Sequence, residues 1–447
     1  MSSPSKTFGM WSGVGLVIAN MVGAGVFLST GFMAQNLSAG YIVLAWVIGA
    51  VLALCGAVAY AEVARLVPRG GGEYRYLSTL LHPALGYLAG WASLLVGFSA
   101  PIALDALAAG AFARAVFPSL DPRVVGAVLV IGLTVVHATG LHVSTRAQNA
   151  LVGVKVSLLF AFVVVALVKG NWAWPTWAPP SPHESPWPDV LSSLFFIAFA
   201  FSGWNAAVYA SDEFRQPAKD VPRAMLLGTI VVALLYLVVN VVFVANLTPS
   251  EGTVVFNYGD FTSLKGQYEQ VTLGQAVMAH LMGPGAARVM SAVMLLLFIS
   301  AMSAMMLVGP RVYAAMASDG VLPKVLRAKE GKPPTAAVIL QGVLALSLLY
   351  THDVRTVLSN VGAVLVFFAA LTVAGLFAAL ARAKTPEQRP SALGLVGAAV
   401  YVVSAAWMLF QGFRDSLTLL LWVAGVAAVA LVAWGVTRRV AQTTPSP

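Results

Sequence analysis

Twelve long apolar runs constrain this chain more than any other feature. A hydrocarbon layer about 30 Å thick takes about 20 helical residues to cross, and in that solvent only closed backbone pairing is tolerated. Runs of that kind lie at 10–36, 40–66, 84–113, 122–141, 145–169, 188–212, 223–246, 285–316, 334–351, 354–381, 391–412 and 417–437. Composition agrees, with 59% of the 447 residues hydrophobic and 10% charged, where soluble domains carry about 25% charged. The expectation is an all-α integral membrane protein of twelve transmembrane helices. Disordered, coiled-coil and disulfide-scaffold classes are excluded. Cys55 is the sole cysteine, so no intrachain disulfide can form. The first run is too long and too glycine-rich for a cleaved signal peptide and is taken as an uncleaved helix.

The net charge of +9 would suggest nucleic acid in a soluble protein. Here the basic residues sit between apolar runs and mark sidedness instead. With alternate loops on alternate sides, 18 of the 26 Lys and Arg fall on the side holding both termini, 7 fall on the other, and Lys155 lies inside a run. The positive-inside rule makes the richer side cytoplasmic and supports an even number of spans. No nucleic-acid partner is needed. Membrane lipid is the expected surrounding, and oligomeric state is left open. Two longer segments fall outside: 170–187, dense in proline with Trp172, Trp174, Trp177 and Trp187, and the polar 247–275. Proline density forbids a regular helix in the first, and its tryptophans suit the membrane interface.

The functional signal lies in two runs that glycine interrupts. The first reads Ala19-Asn20-Met21-Val22-Gly23-Ala24-Gly25-Val26-Phe27, and the sixth reads Phe199-Ala200-Phe201-Ser202-Gly203-Trp204-Asn205. Glycine weakens a helix by about 1 kcal/mol against alanine and lets a ligand or another backbone approach closely. Tight helix packing is the competing reading for Gly23 and Gly25. Paired interruptions at corresponding places in two halves point to a secondary-transporter site. Unwinding frees amide N–H groups that suit a carboxylate and carbonyls that suit an ammonium, which together make a zwitterion receptor.

Lys155 stands about ten residues into the fifth run, roughly 15 Å from its cytoplasmic end at about 1.5 Å per residue. That is far for a lysine stem to snorkel, and buried charges of this kind usually do functional work. Asp105, in the outer half of the third run, suits a vestibule residue or a partner for a polar neighbour. Glu62, one turn from Arg65, suits a structural or inner-gate ion pair rather than a binding role.

The chain resembles the amino acid–polyamine–organocation permeases, which have the leucine-transporter fold. The resemblance rests on Gly23-Ala24-Gly25-Val26-Phe27, Pro68-Arg69-Gly70-Gly71-Gly72-Glu73-Tyr74, Ser202-Gly203-Trp204-Asn205, Glu213-Phe214-Arg215-Gln216-Pro217, and Arg311-Val312-Tyr313 with Ser318-Asp319-Gly320. It implies a 5+5 inverted repeat with helices 1 and 6 broken and two peripheral helices: repeats at 1–169 and 188–381, the external loop 170–187 between them, and helices 11–12 with a cytoplasmic tail at 382–447. It implies amide N–H groups at Gly23, Ala24 and Gly25 for a substrate carboxylate. Carbonyls near Met21, Phe199 and Ser202 would take the ammonium. Phe199, Trp204 and Met305 would line or cap the side-chain pocket, with Phe199 a candidate gate and Asn205 where some cation-selective relatives carry an acid. It further suggests that the Lys155 ammonium replaces a coupling cation and bridges helices 1, 5 and 8, with protons as candidate coupling ions. The Gly70-Gly71-Gly72 run would be a flexible loop of an inner gate.

With no Asp or Glu in either break, a dicationic substrate would lack a buried counter-charge. The expected function is secondary active transport of neutral amino acids across the cytoplasmic membrane by alternating access, sodium-independent and either proton-coupled or exchanging. A cationic amino acid or polyamine antiporter is the alternative within the class, and a non-transporting amino acid sensor the alternative outside it. The histidines are scattered without metal-ligand spacing, and no phosphate-cradling motif occurs. No metal, cofactor or enzyme chemistry is expected.

Overall fold

The computed structural model describes residues 8–34, 36–170, 172, 174, 185–246, 273–329, 332–351 and 354–415, with scattered positions between 421 and 435. Among these residues the regular structure is helical, and one isolated β-bridge pairs Phe8 with Phe214. The first run folds as α1 (Met10–Met21) and α2 (Ala24–Met33), bent by 45° at Val22-Gly23. The second is α3 (Ala39–Leu66), and after it comes a polar helix, α4 (Gly72–Leu80), where the sequence suggested only a loop. The third is α5 (Pro83–Ala92) and α6 (Ser99–Val116), joined by a π-helical turn at Ser93–Phe98. Then come α7 (Pro122–Thr139) and α8 (Leu141–Lys169). The sixth run is α9 (Trp187–Ala200), an irregular turn over 201–205, and the single turn α10 (Ala206–Tyr209).

The remainder is α11 (Pro217–Ala245), α12 (Leu273–Met282), α13 (Pro284–Ser318), α14 (Thr335–Thr351), α15 (Val354–Arg382) and α16 (Ala392–Asp415). Eleven of the twelve runs thus fall on helices, and 417–437 lies largely outside the described residues. Most of 170–187 and of 247–275 also lies outside them. Among the described residues, eight helices are long and apolar enough to cross a membrane, or nine if the bent pair α1–α2 is one span.

α3 packs on α11 and α16, α6 on α13 and α7, and α1 on α11, so both broken runs lie inside the bundle. Several buried polar side chains there are paired, as a dry interior favours. Thr30 of α2 accepts from Trp46 Nε1 at 2.8 Å and bonds the Asn240 side chain of α11. At the end of the bundle marked by Phe8, several ties converge. Phe8 N donates to Glu213 O at 3.1 Å and Arg215 N to Phe8 O at 3.0 Å. Arg311 Nε donates to Glu213 Oε1 at 2.6 Å, and Arg75 pairs with Asp319 at 3.0 Å. The Tyr74 hydroxyl donates to Asp319 at 2.7 Å. Burial, then the Asp319 carboxylate, pushes that hydroxyl above its usual range, which keeps it protonated as a donor. The Glu62–Arg65 pair forms at 2.7 Å, and Arg65 reaches on to Glu387 O and Arg389 O, tying α3 to the turn before α16.

Gly25 shows why the first break needs small residues. A Cβ there would lie 2.5 Å from Ala200 Cα and 3.1 Å from Ala200 N, so α2 meets the end of α9 backbone to backbone. Gly25→Ala should therefore destabilise the fold by about 1–3 kcal/mol through overpacking. Scanning fluorimetry of the purified variant, read against wild type, should give a lower melting temperature.

Candidate functional site

The two breaks interlock. Gly203 sits at φ 103°, a left-handed conformation, with the Cβ position 2.5 Å from Asn20 Nδ2 and 3.1 Å from the Asn20 backbone. Only glycine meets both demands without strain. Asn20 Nδ2 in turn approaches Gly203 O at 3.5 Å. Tyr236 of α11 closes the other side: its hydroxyl donates to Met21 O at 2.7 Å, with Ala200 O sharing the proton at 3.1 Å. One phenol thus caps carbonyls at the end of α1 and the end of α9.

Lys155 caps the same helix end from α8. Its side chain is 0% exposed, and Nζ donates to Ala19 O at 2.9 Å and to Val22 O. The lysine does not snorkel. It is spent on carbonyls that the break in the first run leaves without intrahelical partners. Ala24 and Gly25, as the first residues of α2, present amide N–H groups that likewise have no intrahelical acceptor.

A cavity lies against the sixth-run break, with about 80 Å³ in which the centre of a water molecule can lie, several times what one water needs. Phe199, Ser202, Trp204, Asn205 and Met305 all line it. Met21, Gly23, Ala24 and Gly25 do not; the residue of the first run that reaches it is Asn20. Nor does Lys155, which stands on another side of α1. The Met21 and Phe199 carbonyls each accept a hydrogen bond already, from Tyr236 and from Ser202 N at 2.9 Å. Trp204 packs its ring at 5.4 Å from Tyr401 and 6.3 Å from Tyr60. Tyr401 belongs to α16, expected to be peripheral, yet it forms part of the cavity wall.

Two carboxylates reach the breaks from neighbouring helices. Glu73 of α4 lines the cavity with Asn205 and Tyr209. Asp105 of α6 is 3% exposed, and a Cβ added at Gly23 would lie 3.7 Å from its Oδ2 and 3.8 Å from its Oδ1. Asp105, expected as a vestibule residue or the partner of a polar neighbour, thus stands beside the first break, while Glu73, outside both broken runs, was not singled out as a neighbour of the site. Nor were Asn20, Tyr209, Tyr236 and Tyr401. Nothing in their local sequence distinguishes them, apart from Asn20 being a polar residue three positions before Gly23. Among the described residues no group of three His, Cys, Asp or Glu could hold a metal ion.

Comparison with known proteins accords with this architecture. A family model described as amino acid permease matches residues 8–436. The chain is 27% identical over 421 residues to the large neutral amino acids transporter small subunit 2 of Homo sapiens, covering 90% of this chain and 75% of that one. It is 25% identical over 431 residues to the Asc-type amino acid transporter 1 of Mus musculus (91% and 76% covered). It is 24% identical over 394 residues to the b(0,+)-type amino acid transporter 1 of Mus musculus (84% and 76% covered). These are permeases rather than enzymes. With its bundle of apolar helices and a match over nearly its whole length, the chain is an integral membrane protein and belongs to the amino acid permease family.

Proposed function

We propose that this protein carries neutral amino acids across the cytoplasmic membrane by alternating access, independently of sodium, with both termini in the cytoplasm. The observation that carries the reading is the cavity in which Phe199 of α9 and Ser202, Trp204 and Asn205 of the irregular turn meet Met305 and Asn20 beside the first break. On this reading the cavity extends past Asn20 to the first break in the course of the cycle: the substrate carboxylate then takes the N–H groups at Gly23, Ala24 and Gly25, and the ammonium takes carbonyls of the two breaks near Met21, Phe199 and Ser202. Phe199 gates the cavity, and Trp204 and Met305 bound the side chain. Twelve helices in two inverted five-helix repeats, with two further helices, complete the arrangement. The names of the relatives, transporters of amino acids, support the substrate class.

In this reading Lys155 serves as the built-in cation of the cycle. Its ammonium occupies carbonyls that a bound metal cation would otherwise take, at Ala19 and Val22, and a proton shuttled on it would couple the cycle to pH. A second reading, a carrier of cationic amino acids or polyamines, is favoured for polyamines by one observation: the Asp105 carboxyl group stands beside Gly23, where a substrate carboxylate would otherwise dock and where an amine without one would find an acceptor.

Uptake into proteoliposomes, with and without a pH gradient, tests the function. The expected result is saturable uptake of labelled neutral L-amino acids, competed by other neutral ones and not by arginine or putrescine. Competition by arginine or putrescine would move the protein to the second reading, and absence of flux for any amino acid, from empty or preloaded vesicles, would refute transport.

Lys155→Ala should cut flux by about tenfold or more, the loss of roughly one charge-assisted hydrogen bond, and flatten its pH dependence, while the protein still inserts and purifies as a folded species. Unchanged flux with an unchanged pH profile would show that the ammonium only caps the helix.

A further inference from the structure

Glu73 reaches the cavity from α4, outside both broken runs, and its hydrogen bonds fix the orientation of another side chain. The residue is buried, at 6% exposure. Its carboxylate accepts from Tyr60 OH at 2.7 Å, from Asn205 Nδ2 at 2.5 Å and from Tyr209 OH at 2.9 Å. A phenol has one proton to give. Tyr209 gives it to Glu73 and so can only accept from Asn205, whose Nδ2 lies 2.7 Å away. Both amide protons of Asn205 are thereby committed, one to the carboxylate and one to the phenol oxygen. Turning the amide over would set Oδ1 against a carboxylate and against a hydroxyl whose proton points elsewhere. Acceptor then faces acceptor in a site of low dielectric, where unpaired polar groups are most costly. Oδ1 is the polar atom left over, on a residue that lines the cavity next to Ser202 and Phe199.

We propose that Glu73 is a positioning residue for substrate selection: with Tyr209 it locks the Asn205 amide so that Oδ1 stands in the cavity as a fixed hydrogen-bond acceptor, favouring substrates that bring an N–H or O–H donor to that point. The inference rests on the amino acid transport reading. It also separates Glu73 from the role of counter-charge. Three donors already serve the carboxylate, so a second positive charge on the substrate gains little from it.

Glu73→Gln tests the idea, because a glutamine amide can donate to Asn205 Oδ1 and so releases the lock. Initial rates are measured in proteoliposomes with each of the twenty labelled L-amino acids, and KM and kcat are determined for those taken up by wild type. Glu73→Gln should raise KM about tenfold, the scale of one well-placed hydrogen bond, with kcat within about twofold. In an Asn205→Ala background the same change should alter KM less than about twofold, because Glu73 acts through Asn205. Tyr209→Phe, which removes the other acceptor and keeps the charge, should raise KM in the same direction and serves if Glu73→Gln does not fold. KM effects of Glu73 and Asn205 substitutions that multiply independently would overturn the proposal. So would a Glu73→Gln variant with a lowered melting temperature and kcat but an unchanged KM. Wild-type protein that takes up none of the twenty would refute the transport reading and this inference with it, whereas wild-type uptake with independent effects refutes this inference alone.

Discussion

A helix broken inside a membrane leaves carbonyls and amides where no water can receive them, and each such group costs several kcal/mol if left alone. Much of the bundle's interior answers that deficit. Lys155 gives its ammonium to Ala19 and Val22, and Tyr236 gives one proton to the ends of α1 and α9 together. The helices that bear these two side chains, α8 and α11, are thereby fixed against α1. The groups that make the break tolerable also set the walls around it.

The glycines do the complementary work. Gly25 brings α2 onto the end of α9, and Gly203 lets the irregular turn lie on Asn20. Close backbone approach is what allows one phenol to reach two helix ends at once. The competing readings of the first-run glycines, packing and ligand access, thus need not exclude each other. Gly25 is a packing residue in its Cβ direction, and its amide still opens α2.

Much of the architecture was legible in the sequence for a simple reason. A span advertises itself through about 20 consecutive apolar residues, a property of one segment alone, and α3, α7, α8, α11 and α13 fall where that rule puts them. The irregular turn was legible too, because Ser202-Gly203-Trp204-Asn205 combines a conformational breaker with polar groups inside one run. What local reading could not reach is juxtaposition between helices. Glu73 follows three glycines and looks like a loop residue, yet those glycines open α4 and aim it at Asn205. For Asp105, depth was countable along α6 while its neighbour Gly23 was not. Substrate charge was argued from the acids on two helices, but the field in a cavity comes from every helix around it.

The π-helical turn at Ser93–Phe98 has a consequence for the third run as a whole. Such a turn carries one residue more than an α-helix would use, and a residue is worth about 100° of rotation at 3.6 per turn. The extra residue therefore acts as a phase shifter between α5 and α6. It decouples the face that α5 presents to α4 from the face on which α6 carries Asp105 toward Gly23. Removing that one residue would leave the run just as apolar and nearly as long, yet would turn the carboxylate about a quarter of the way around its helix. The angular register of α6, invisible to any measure of hydrophobicity, is thus held in a six-residue segment that itself forms part of the cavity wall.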